Sequence, residues 1–233
     1  MLKYESEIIG ENPQKLVVFL HGYNGNLDDH AYAINWIKQY LENSVFCVPL
    51  APETCDKNPQ KKQWFGMLKY DGQNRRFSAD TNTSEIFEIY NQTQDEMSAR
   101  AAEINDLIHE LQQQYGFSAE TTYIMGFSQG AMLALYAALS DKNISGGVFM
   151  LSGIVAAEKQ LSQKISAFPH VYMFHGENDM KVQYKTLAFS DNWLTRHNIP
   201  HDVFTYPELS HKMCEAEIVK ICDIINKKTA DGS

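Results

Sequence analysis

Thr121-Thr122-Tyr123-Ile124-Met125-Gly126-Phe127-Ser128-Gln129-Gly130-Ala131-Met132-Leu133-Ala134-Leu135 is the stretch that decides the fold of this chain. Its first five residues are strand-like, and an Ala- and Leu-rich run of helical character follows Gly130. A serine held on a sharp strand-to-helix turn has its hydroxyl clear of the sheet, and the next backbone amide faces an oxyanion formed there. Glycines two before and two after the serine permit such a turn, because side chains would collide across the tight backbone. A bare Gly-x-Ser-x-Gly arises often by chance. The strand before it and the helix after it are what give it chemical meaning.

Working outward, short apolar runs recur at Leu16 to Leu20, Val45 to Leu50, Thr122 to Phe127, Gly147 to Leu151, Val171 to His175 and Val203 to Tyr206. Runs such as Leu16-Val17-Val18-Phe19-Leu20 show no polar alternation, which predicts parallel strands covered on both faces. Helical periodicity falls between them, at about 29–42, 94–114, 129–139, 182–197 and 213–227. The alternation predicts an α/β fold with a mostly parallel, doubly wound sheet and helices on both faces, and excludes a sandwich or a bundle. The stretch 53–93 has no clear period of its own and is long for a connection. It carries Trp64, Phe65, Met67, Leu68, Tyr70, Phe77, Phe87 and Tyr90, which speaks against disorder and fits either a packed flap or a cover over an apolar substrate. The tail from Lys227 reads as frayed.

The chain has 233 residues, 44% of them hydrophobic and 21% charged, enough to bury the core of one domain. Its net charge of −9, with no basic tract, speaks against a reader of phosphate backbones. The longest apolar run, Ala131 to Leu139, falls well short of the roughly 18 residues a membrane span requires. Acidic residues at Glu5 and Glu7 stand where a secretory signal would be apolar, so a cytoplasmic location is expected. Cys47, Cys55, Cys214 and Cys222 are not needed as disulfides in such a chain, and no Cys/His cluster has zinc spacing, so no metal and no cofactor is expected.

A serine hydroxyl needs a histidine base, oriented by a carboxylate, to act as a nucleophile near neutral pH. On this type of fold the chain order is serine, acid, histidine. Asp179 follows the strand ending at His175 and is the favoured acid, with Glu177 as its rival. His197, His201 and His211 come after it. His211 sits between a strand and the final helix, at the sheet edge where ligands bind, and is the expected base. The amide of Gln129 and that of Tyr23, in the turn-rich loop after Leu20, are the expected oxyanion donors. His21 then shapes that loop, its alternative role as a base being opposed by chain order.

Together these residues resemble the phospholipase/carboxylesterase group of α/β-hydrolases, which includes the acyl-protein thioesterases. Leu20-His21-Gly22-Tyr23 is similar to that family's oxyanion loop, Gly126-Phe127-Ser128-Gln129-Gly130 to its nucleophile elbow, Phe174-His175-Gly176 through Asp179 to its acid loop, and Ser210-His211 to its base. The likeness spans nearly the whole chain. It implies an α/β-hydrolase fold and cleavage of carboxylic esters or thioesters through an acyl-enzyme. It also implies that Trp64 and Phe65, resembling a Trp-aromatic pair near the acyl site, bind substrate together with Met67. Three positions depart from the family pattern: Gly66 where Asp is usual, and Ala131 and Asn24 where glycine is common. The implied partners are a small or lipid-like acyl ester or an acylated protein, with the protein itself a monomer or weak homodimer. A lysophospholipase-like activity is the alternative within enzymes, and a non-catalytic acyl-ligand binder the alternative outside them.

Overall fold

The computed structural model describes residues 2–26, 28 and 31–231. Its strands are β1 (Tyr4–Ile9), β2 (Lys15–Leu20), β3 (Ser44–Pro49), β4 (Glu53–Cys55), β5 (Asn58–Gln63), β6 (Thr122–Phe127), β7 (Gly147–Leu151), β8 (Val171–Gly176) and β9 (His201–Tyr206). Its α-helices are α1 (Ala31–Tyr40), α2 (Thr83–Asn91), α3 (Gln94–Tyr115), α4 (Gln129–Ser140), α5 (Glu158–Lys164), α6 (Leu187–Arg196) and α7 (Glu215–Asp231).

Seven strands form one sheet in the order β1-β3-β2-β6-β7-β8-β9, parallel throughout except for β1. The apolar runs explain the layering. Every residue of β2, β3, β6, β7 and β8 is buried, which requires cover on both faces. Val17, Phe19, Phe46, Met125 and Phe174 on one face pack with residues of α1 and α7. Val18, Leu20, Ile124, Met150 and Met173 on the other pack with residues of α2 to α6. Helix α4 is buried from Gln129 to Leu139, which accounts for its lack of a polar stripe. The doubly wound α/β architecture expected from the sequence is the one found.

From β2 the chain moves outward to β3, then returns across β2 to β6 and continues the other way. The crevice at such a reversal, beyond the carboxyl ends of the strands, is where open α/β sheets bind ligands. Here it lies between the loop after Leu20 and the turn at Ser128.

Two expectations need correction. The stretch 53–93 is not a connection without elements: it contains the β4–β5 hairpin, a short 3₁₀ turn at Arg75–Phe77 and α2. The hairpin strand Asn58–Gln63 is polar on both faces and carries no apolar alternation to betray it. The tail from Lys227 is not frayed at its start, since α7 continues to Asp231; residues 232–233 lie outside the described residues. Strand β1 was not expected at all. Its Tyr4 to Ile8 are exposed, and it is held at the sheet edge by main-chain pairing with β3 from Tyr4↔Pro49 to Ile9↔Ser44.

Candidate active site

Ser128 joins β6 to α4 at φ 54° and ψ −116°, a conformation that costs a non-glycine residue on the order of 1–3 kcal/mol. The surrounding backbone holds it there. Its amide donates to the Leu151 carbonyl at 2.8 Å, tying the turn to the end of β7. A Cβ on Gly126 would lie 2.4 Å from the Gly130 carbonyl, across the turn as expected. Gly130 answers to a different contact: a Cβ there would stand 2.1 Å from the Leu20 carbonyl oxygen, so it is the approach of α4 to the end of β2 that excludes a side chain.

His211 and Asp179 converge on this serine. Ser128 Oγ lies 3.1 Å from His211 Nε2, and His211 Nδ1 lies 2.7 Å from Asp179 Oδ2. A carboxylate can only accept, so its contact assigns the proton to Nδ1 and leaves Nε2 to accept from the serine hydroxyl. Asp179 is buried in the turn after β8, where its Oδ1 accepts from the amides of Lys181 at 2.8 Å and Val182 at 3.0 Å. Burial pushes its pKa up, but the hydrogen bond and charge of His211, with the Lys181 amide, outweigh it and hold the carboxyl below its ordinary value. Glu177, the rival acid, is exposed at the strand end. His197 stacks on Trp193, and His201 lies 2.9 Å from Asp191, so neither belongs to this cluster.

Sequence reasoning missed the role of two side chains beneath the site. The Gln129 amide side chain bridges two backbones: its Oε1 accepts from Trp64 N at 2.8 Å and its Nε2 donates to Phe65 O at 2.7 Å. Asp56 accepts from the Tyr23 hydroxyl through one oxygen and from the amides of Met67 and Leu68 at 2.9 and 2.8 Å through the other. Burial and the Asp56 bond raise the Tyr23 pKa, keeping the phenol a neutral donor. The Gly66 amide donates to Glu96 at 2.9 Å, so Asp56 and Glu96 hold the turn where a residue after the Trp-aromatic pair departs from the resemblance. Asn24, in place of a glycine, takes the left-handed conformation at φ 56°, which asparagine tolerates better than most residues.

A cleft of about 290 Å³ opens beside Ser128 and His211, and both expected oxyanion residues, Tyr23 and Gln129, line it. Phe65 and Met67 line it as expected, joined by Met132, Tyr90 and Val182. Trp64 does not. It is as buried as Phe65, but its indole donates to the His21 carbonyl at 2.8 Å and its ring lies against that of His21, so it supports the oxyanion loop. Among the described residues, no three His, Cys, Asp or Glu side chains group as a metal site, and no helix is long and apolar enough to cross a membrane.

Solved structures share this architecture. Esterase PE8 matches with a TM-score of 0.79 and 22% identity, covering 97% of this chain and 98% of that one. Acyl-protein thioesterase 2 of Zea mays matches with a TM-score of 0.73 and 20% identity, covering 98% of this chain and all of that one. These likenesses carry the fold. In sequence, acyl-protein thioesterase 1 of Neurospora crassa is 25% identical over 230 residues, which span 93% of this chain and 89% of that protein. The phospholipase/carboxylesterase family model matches residues 6–229, nearly the whole length, and on that match the chain belongs to the phospholipase/carboxylesterase family.

Proposed function

We propose that this protein is a serine hydrolase that cleaves carboxylic esters or thioesters through an acyl-enzyme. The observation that carries the proposal is the unbroken relay from Ser128 Oγ through His211 to Asp179, with contacts of 3.1 and 2.7 Å. Ser128 attacks the acyl carbonyl while His211 Nε2 takes the hydroxyl proton, and Asp179 supports the imidazolium through Nδ1–H. The backbone amides of Tyr23 and Gln129 donate to the oxyanion, a donor of this kind being worth about 2.7 to 4 kcal/mol. His211 then returns the proton to the leaving alcohol or thiol as the tetrahedral intermediate collapses. A water, deprotonated by the same nitrogen, releases the acid and restores Ser128.

Relatives named as thioesterases and esterases support an acyl substrate of one of these two classes. The apolar residues Phe65, Met67 and Met132 beside the serine suit the acyl chain. We read the chain as one domain acting in the cytoplasm, in keeping with four free thiols, three of them buried. Ser128→Ala is expected to abolish both turnover of a short p-nitrophenyl ester and labelling by a fluorophosphonate probe. Retention of both would remove Ser128 from the mechanism.

A further inference from the structure

The lining of the cleft is not all apolar. Arg76, Phe77, Lys57 and Lys181 all line it, and the three cations surround one ring. The Arg76 guanidinium carbon lies 4.2 Å from the Phe77 centroid, and the ammonium nitrogens of Lys57 and Lys181 lie 5.5 and 5.1 Å from it. These cations differ in how they are balanced. Arg76 is buried and donates at 2.8 Å to Asp71, which is buried too, so its charge is matched within the protein. Lys57 donates to the neutral Asn74 Oδ1 at 2.5 Å. Its sequence neighbour Asp56 accepts from the Tyr23 hydroxyl and two amides, and feels the Lys57 charge without forming an ion pair with it. Among the described residues, no carboxylate lies within 4.0 Å of the ammonium of Lys57 or of Lys181.

Contact with a phenyl ring is worth only about 0.5–1 kcal/mol at an exposed site and neutralises no charge. In a chain of net charge −9, carboxylates to pair with such lysines are plentiful, yet among the described residues none makes an ion-pair contact with either one, the charge of Asp56 reaching Lys57 only at longer range. Two ammoniums without an ion-pair contact, on a cleft otherwise lined largely by apolar side chains, form a complement to a substrate with an apolar body and an anionic end.

We propose that the cleft selects acyl esters or thioesters bearing an anionic group, received by Lys57 and Lys181 beside Phe77 while the reacting carbonyl lies at Ser128. The proposal rests on the hydrolase function above and names the substrate class of that same site. The anion can belong to the acyl part or to the leaving group, and the test separates the two. One arm compares mono-p-nitrophenyl adipate and suberate with p-nitrophenyl hexanoate and octanoate. The other compares the butyryl thioester of 3-mercaptopropionate with that of its methyl ester, read by thiol release.

In at least one arm the unaltered protein is expected to favour the anionic substrate in kcat/KM by about tenfold, the scale of two partly exposed ion pairs. The preference should shrink as salt is raised. In the double variant Lys57→Met, Lys181→Met it should fall to near parity. The double variant Lys142→Met, Lys220→Met, which removes the same charge away from the cleft, should keep it. Parity in both arms for the unaltered protein, or a preference that survives loss of Lys57 and Lys181, would overturn the proposal while turnover of the neutral esters leaves the hydrolase function standing. Absence of turnover on every substrate together with absence of Ser128 labelling would instead overturn the hydrolase function itself.

Discussion

Three histidines lie close to the cleft, and their partners decide which one can act as a base. His21 accepts from the Ala51 amide at Nε2, 3.0 Å away, so its proton is on Nδ1, which donates to the Gly22 carbonyl at 2.8 Å. Its one lone pair is occupied, which fits loop shaping and leaves no base function. His175 is buried, and its Nε2 donates to the Val182 carbonyl at 2.8 Å from a position 3.6 Å from Asp179. Burial lowers its pKa, so it remains neutral beside the acid and props the turn that carries it. His211 alone turns an accepting nitrogen to Ser128. Just beyond it, Glu217 caps the start of α7 by accepting from the Cys214 amide at 2.9 Å, while its other carboxylate oxygen has no hydrogen-bond partner among the described residues. Burial raises its pKa to about 7 against the bonds from Cys214, which lower it. Between about pH 4.5 and 7 the native state therefore binds more protons than the unfolded chain, and stability declines as pH rises through that window. The full shift corresponds to roughly 3 kcal/mol at about 1.36 kcal/mol per pH unit. Glu217→Gln keeps an acceptor for Cys214 and removes the titration. In urea unfolding at pH 8 it is expected to be more stable than the parent, with the gain vanishing near pH 5. An equal difference at both pH values would show that the Glu217 charge is not the cause.

At the scale of elements, the site depends on how closely α4 approaches β2. The 2.1 Å separation between a Cβ on Gly130 and the Leu20 carbonyl leaves no flexible side chain to give way, only backbone at the end of a buried strand. Gly130→Ala is expected to cost about 3 kcal/mol or more and to displace the oxyanion loop along with Leu20. Thermal unfolding and p-nitrophenyl ester turnover would both register the change. An unchanged melting temperature would mean that the two elements do not meet so tightly. The same packing explains what the sequence conceals in 53–93. Its Asn82-Thr83-Ser84-Glu85 is a helix start, and Asn82 does accept from the Glu85 amide at 2.8 Å, with Ile86, Phe87, Ile89 and Tyr90 buried behind it. That signal is present in the sequence and would have revealed α2. The β4–β5 hairpin offers no such signal, because it is fixed by tertiary contacts such as Gly25↔Lys62 and not by an apolar face.

For the whole molecule, legibility follows burial. Strands covered on both faces declare themselves as unbroken apolar runs, so β2, β3, β6, β7 and β8 and the helices α3 and α4 can be read directly from the sequence. Strand β1, exposed and acidic at the edge, cannot. Ser128, Asp179 and His211 are legible because each follows the carboxyl end of a strand, and a parallel sheet gathers those ends along one edge. The exclusion of Trp64 from the cleft, the bridge made by the Gln129 side chain and the cations around Phe77 depend on side-chain directions in an irregular segment, which no periodicity records. In the proposed function, what unites these features is an acyl group passed through Ser128. Mass spectrometry of the protein quenched during turnover of a slowly hydrolysed ester tests this directly. One acyl adduct per chain, mapped to the peptide at Ser128 and absent from Ser128→Ala, is the predicted result; ester turnover with the adduct on another residue, or with none trapped on Ser128, would contradict it.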